Sequence, residues 1–129
     1  MHAATMRWVL HGQTLATAAV ADALRRHGDD PRAPVELGLA DNAAPVDFFK
    51  AAQSKQLDVL TSDAQLVNAI FEEKIPFNRS VVFLQLEGGD IEQDDAIDRL
   101  FKRYERLSPG RLYTVTGSRV KIRQLPGRK

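Results

Sequence analysis

Apolar residues recur along this chain with two different periods, and the alternation between them predicts the elements. Arg7-Trp8-Val9-Leu10-His11 is the first short apolar run and predicts a strand. A helix is expected from about Gln13 to His27, where Leu15, Ala16, Ala19, Val20, Ala23, Leu24 and His27 share one stripe and Gly28 supplies the stop. Pro34 has no N–H to give a sheet ladder, so Pro34-Val35-Glu36 is expected to make at most a short, edge-like second strand. A loop rich in Gly, Asp and Asn then leads to Pro45, a favourable first helical residue, with Phe48, Phe49 and Ala52 on the buried face of the second helix.

The strand expected at Leu57–Leu60 runs into Thr61-Ser62-Asp63 and turns directly into a helix with Leu66, Val67, Ile70 and Phe71 at core spacing. Ser62-Asp63-Ala64-Gln65 has capping-box spacing, which predicts that the Ser62 side chain accepts the Gln65 N–H. Val81-Val82-Phe83-Leu84-Gln85-Leu86 is nearly continuous, the pattern of a strand covered on both faces, and Gly88-Gly89 breaks it. From about Gln93 to Leu107 a helix places Ile97, Leu100, Phe101, Tyr104 and Leu107 on one face. Asp95 with Arg99 and Asp98 with Lys102 are i,i+4 pairs, worth about 0.2–0.5 kcal/mol each. The chain closes with a hairpin, Arg111–Thr116 and Arg119–Leu125, joined by Gly117-Ser118.

Strands alternating with helices imply βαβ units: an α/β fold in three α/β/α layers, its sheet mainly parallel, with the antiparallel C-terminal hairpin at one edge. A chain of 129 residues with 43% apolar and 27% charged residues suits one soluble globular domain. We expect residues 1–5 to be a leader, 6–126 the domain and 127–129 a tail. Cysteine is absent, which excludes disulfides and thiolate metal sites. No apolar run approaches the roughly 20 residues of a membrane span, so no membrane partner is expected and the cytoplasm is the default location.

Charge changes the picture more than composition does. Residues 99–129 carry ten basic residues against Glu105 alone, a charge of +9, whereas residues 1–98 carry eight basic and sixteen acidic residues, a charge of −8. Such a split suits an acidic partner for the C-terminal part, nucleic acid being the commonest, or a second copy of the chain; the alternative is internal balance.

The candidate chemistry centres on Asp63. It stands at the carboxyl end of a strand and the start of a helix, where open α/β sheets bind ligands. The position suits one member of a metal-holding carboxylate cluster. It equally suits an acid in a first helical turn, stabilised by the helix dipole by about 0.3–1 kcal/mol.

Taken in order, Arg7-Trp8-Val9-Leu10, Ala23-Leu24-Arg25-Arg26-His27-Gly28, Glu36-Leu37-Gly38-Leu39, Thr61-Ser62-Asp63-Ala64-Gln65-Leu66 and Arg119-Val120-Lys121-Ile122-Arg123-Gln124-Leu125-Pro126 give the chain a family likeness. It resembles the small PIN-like domains, in particular the bacterial uncharacterised group whose first strand ends in Asp-Glu-Asn-Leu and whose third ends in Thr-x-Asp-x-Asp-Phe. The likeness covers nearly the whole chain. It implies a nuclease lineage in which clustered carboxylates hold Mg²⁺ or Mn²⁺, and the metal activates a water and offsets charge on the attacked phosphate.

The departures fall on that site. His11 stands where the first-strand Asp is expected, Ala44 or Pro45 where an acid should precede the second helix, and Gln65 where the second Asp of the signature belongs. Asp63 alone matches by position, as catalytic and metal-binding candidate; His11 and Asp41 are the further metal candidates, with Asp47 nearby. His11 also suits a strand-end histidine with a satisfied hydrogen bond.

Three readings follow. The first is a non-catalytic or very weak PIN-like module that binds RNA or a protein partner through Arg119, Lys121, Arg123, Arg99 and Arg103. The second is a divergent, toxin-like Mg- or Mn-dependent endoribonuclease, with an antitoxin-like protein as a partner. The third is a homo-oligomeric structural module. His11 and Asp63 are expected together at the carboxyl ends of parallel strands, and Val120 and Ile122 are expected to face the core with Arg119, Lys121 and Arg123 opposite.

Overall fold

The computed structural model describes residues 5–40 and 42–126. The element order is β1 (Arg7–His11), α1 (Thr17–Arg26), β2 (Asp30–Arg32), a 3-10 turn (Pro34–Leu37), α2 (Pro45–Ser54), β3 (Asp58–Thr61), α3 (Ala64–Glu72), β4 (Val81–Leu84), α4 (Asp90–Arg103), β5 (Arg111–Val115) and β6 (Val120–Gln124). The strands form one six-stranded sheet in the order β2-β1-β3-β4-β5-β6. Every pairing is parallel except β5 with β6.

Period-two alternation in the central strands feeds two cores. Trp8, Leu10, Leu60, Val82, Leu84, Tyr113 and Val115 pack with Val20, Ala23 and Leu24 of α1 and Ala96, Ile97 and Leu100 of α4. Val9, Val59, Val81, Phe83 and Leu112 turn to the other face and pack with Phe48, Phe49 and Ala52 of α2 and Leu66, Val67 and Ile70 of α3. The sheet is therefore covered on both sides, which is why its strands read as unbroken apolar runs. The α/β/α architecture with an antiparallel hairpin at the edge is as the periodicity implied.

Several boundaries differ from expectation, each for a local reason. The second strand is Asp30–Arg32, and Pro34 opens a 3-10 turn whose Ala33 N–H donates to Glu36 Oε2 at 3.1 Å. Proline's fixed φ serves a helical start better than a strand. Helix α1 begins at Thr17, because Gly12 to Ala16 form a turn in which Ala16 N–H donates to Gln93 Oε1 at 2.8 Å. Helix α4 begins at Asp90, where Glu92 accepts the Gly89 N–H at 2.9 Å, and stops at Arg103 because Tyr104 is extended.

Asp95 pairs with Arg99 at 3.4 Å as the spacing suggested. Asp98 is engaged elsewhere: it accepts from Arg26 at 3.1 Å and lies 2.8 Å from His27 Nε2, tying α4 to the end of α1. Asp94 joins the same link through Arg26 at 2.6 Å. At the amino end of the sheet, buried Asp29 accepts the Trp8 indole N–H at 2.8 Å and the Met6 N–H at 2.9 Å. Buried Asp58 accepts Ser80 N–H at 2.8 Å and meets Arg79 at 3.3 Å. These carboxylates anchor strand starts, at the end of the sheet opposite Asp63.

Candidate functional site

In the strand order, β2 and β3 lie on opposite sides of β1, so the chain reverses its winding between β1 and β3. The helices that follow these two strands, α1 and α3, pack on opposite faces. A crevice outside the carboxyl ends of β1 and β3 is the outcome, the usual ligand position in an open parallel sheet. A cleft of about 500 Å³ occupies it, lined by His11, Gly12, Gln13 and Thr14 from the β1 side and Ser62, Asp63, Ala64 and Gln65 from the β3 side. His11 and Asp63 thus share one cleft, and His11 pairs in register with Thr61.

Close packing holds the two walls together. Ser62 N–H donates to the His11 carbonyl at 3.1 Å, and Thr14 Oγ1–H donates to Ser62 Oγ at 3.0 Å. Gly12 has φ +124°, and a Cβ there would collide with Ser62 Oγ. Only glycine meets both demands.

Asp63, not Ser62, caps α3: its Oδ1 accepts the Gln65 N–H at 2.9 Å. Ser62 is drawn out of the capping role by Thr14. Thr61 completes the turn, its Oγ1 accepting the Asp63 N–H at 2.9 Å while lying 3.0 Å from His11 Nδ1. Thr61 is fully buried, and its hydroxyl and His11 Nδ1 satisfy one another. Burial pushes the His11 pKa below the usual histidine range, with Asp63 pulling part of the way back. The ring also packs on Phe48, centroids 4.9 Å apart.

This arrangement fits a divalent metal poorly. Mg²⁺ and Mn²⁺ take clustered oxygen ligands. Among the described residues no group of three or more His, Cys, Asp or Glu side chains could hold a metal ion. One oxygen of Asp63 is committed to the cap, and His11 Nδ1 is committed to Thr61. Gln65 lines the cleft but supplies an amide. Asp47 is exposed in the first turn of α2 and does not line the cleft. Asp41 lies outside the described residues.

The basic residues divide into two groups. Arg99, Lys102 and Arg103 of α4 and Ser118, Arg119 and Val120 of the hairpin line a groove of about 440 Å³, with no acid among the described residues that line it. Arg99 is held in place by Asp95 and by donating to the Thr116 carbonyl at 2.9 Å. Arg103 Nε–H donates to Tyr104 Oη at 3.1 Å. The expected row of Arg119, Lys121 and Arg123 therefore does not form one surface. Arg123 places its guanidinium 3.8 Å from the centre of the Phe71 ring, on the α2/α3 side, and Leu125 is buried on that side too. Val120 packs against the α1/α4 core as expected, but Ile122 stays 39% exposed, because β6 is an edge strand that the helices only partly cover.

Sequence reasoning singled out Arg99, Arg103 and Arg119 but gave Lys102 only a pairing role. The signal was present: residues 99, 102 and 103 have the i, i+3, i+4 spacing of one helix face. Thr61, Ser62 and Thr14 carried no comparable signal, because their roles arise only where two strand ends meet. No family model, curated protein or solved structure matches the chain.

Proposed function

We propose that this protein is a non-catalytic, PIN-like, nucleic-acid-associated module that holds RNA on the groove between α4 and the terminal hairpin. One observation carries the reading: among the described residues four cations and no acid line a single groove, while Asp63 is the one carboxylate lining the strand-end cleft. A groove of like charge attracts a phosphate backbone through counterion release and needs no base contacts to do so. A nuclease needs in addition a site for cations opposite the scissile phosphate, and no group of three or more ligating side chains among the described residues offers one.

The groove's own chemistry supports backbone binding. Arginine presents a planar fork to phosphate oxygens, and Arg99 is already oriented by two partners. Lys102 and Arg119 have no ion pair with any described acid, so binding breaks no intramolecular ion pair there. Among the described residues Arg99 is the groove cation paired with an acid, Asp95, while Arg26 with Asp94 lies outside the groove.

The experiment is to follow a labelled single-stranded oligoribonucleotide by fluorescence anisotropy across a salt series, and to run the same RNA on a gel after incubation with Mn²⁺. Binding that weakens steeply with salt, on RNA that stays intact, is the expected result. Cleavage abolished by Asp63→Ala would establish the divergent endoribonuclease instead. No binding at low salt, with self-association in its place, would establish the homo-oligomeric module.

A further inference from the structure

The strand-end cleft has hydrogen-bonding capacity that the fold does not use. Ser62 Oγ accepts from Thr14, leaving its own proton to donate. Asp63 spends Oδ1 on the helix cap, leaving Oδ2 as a charged acceptor. The side-chain amides of Gln13 and Gln65 make no hydrogen bond to a described residue, and both line the cleft. His11 turns Nδ1 to Thr61, which leaves Nε2 as its remaining polar atom. Donors and acceptors thus converge on a cavity of about 500 Å³, the size that small ligands occupy, at the point where α/β sheets bind them.

The same residues select the ligand's chemistry. Among the described residues no lysine or arginine lines the cleft, and Asp63 already fills the anion position at the α3 N-terminus, so a phosphate is repelled. The lining has, among the described residues, no aromatic ring besides His11, which packs tilted against Phe48, so no platform receives a planar base. What remains is an uncharged group that both donates and accepts at closely spaced oxygens. We propose that this cleft binds the vicinal diol of a polyhydroxylated ligand, with Asp63 Oδ2 accepting from one or both hydroxyls and Ser62 and the two glutamine amides meeting the ring oxygens. A carboxylate accepting from a diol is the strongest single contact such a site can offer. The ribose of a nucleoside and a free sugar share this chemistry. The inference stands apart from the nucleic-acid reading, since it uses none of the groove residues.

The test is amide chemical-shift titration of the full chain with adenosine, 2′-deoxyadenosine, D-ribose and adenosine monophosphate. Saturable shifts of Gly12, Ser62 and Asp63 are expected with adenosine, and loss of the 2′-hydroxyl should weaken them at least tenfold. If D-ribose alone gives the same shifts, the source is a free sugar; if only adenosine does, it is a nucleoside. Asp63→Asn keeps an N-cap acceptor and so preserves the fold, yet it should weaken binding at least tenfold, with Ser62→Ala weakening it less. A Lys102, Arg103 and Arg119 to Gln variant should bind adenosine unchanged, which separates this site from the groove. Absence of shifts with every probe up to about 10 mM, where a contact worth about 3 kcal/mol would register, overturns the proposal. So does tighter binding of the monophosphate than of adenosine, or indifference to Asp63→Asn.

Discussion

Asp63 and His11 sit in one cleft, but their surroundings assign them different work. Asp63 Oδ1 closes the first turn of α3. Asp63→Ala should therefore lower stability by about 1 kcal/mol, the usual cost of losing an N-cap acceptor, while Asp63→Asn should change it by only a few tenths. Urea denaturation of the two variants checks this. His11 is held neutral by burial, against a partial counter-pull from Asp63. Its folded-state pKa lies below the unfolded value, so the unfolded chain takes up the proton first as pH falls. The stability this group contributes is present above about pH 6.5 and is lost as pH drops from there toward the folded-state pKa. Comparing urea midpoints at pH 7.5 and pH 5.5 should show a drop in the wild type that is smaller in His11→Gln. An equal drop in both would mean that the imidazole is not the titrating group.

Helix α4 and the β5–β6 hairpin show how far an element's sequence determines its neighbours. Arg123 belongs to the packing of β6 against α3 through Phe71. Arg123→Ala should cost about 0.5–1 kcal/mol in thermal or chemical unfolding, as an exposed cation–π contact does, and leave RNA affinity nearly unchanged. The order of strands and helices was legible because both faces of the sheet are covered, and Val81–Leu84 or Asp58–Thr61 could hardly read otherwise. Pro45 as a helix start was legible for the same kind of reason, a fixed φ at a position with no N–H to satisfy. What escaped depends on contacts between distant segments. Ser62 fails to cap α3 because Thr14, 48 residues away, engages its hydroxyl. The basic row breaks because Arg119 lines the groove with α4 while Arg123 lies over Phe71 of α3, contacts that alternation along β6 does not foretell. Of the site, the meeting of His11 with Asp63 could be read from strand order; the contact of His11 Nδ1 with the Thr61 hydroxyl could not.

Across the whole molecule, the charge asymmetry of the sequence becomes geography. The acids Asp94, Asp95 and Asp98 are engaged by Arg26, Arg99 and His27, while Lys102 and Arg119 remain open to a partner along the groove. The account therefore rests on the groove rather than on the cleft or the outer edge of β6. The most direct measurement is the slope of log K against log salt for a single-stranded oligoribonucleotide. It should be compared between the wild type, a variant with Lys102, Arg103 and Arg119 changed to Gln, and a variant with Lys121 and Arg123 changed to Gln. Removing three cations that each neutralise a phosphate of single-stranded RNA should reduce the slope by about 2. The account predicts that reduction in the groove variant and a near-wild-type slope in the edge variant. An unchanged slope in the groove variant, or the larger loss in the edge variant, would contradict it.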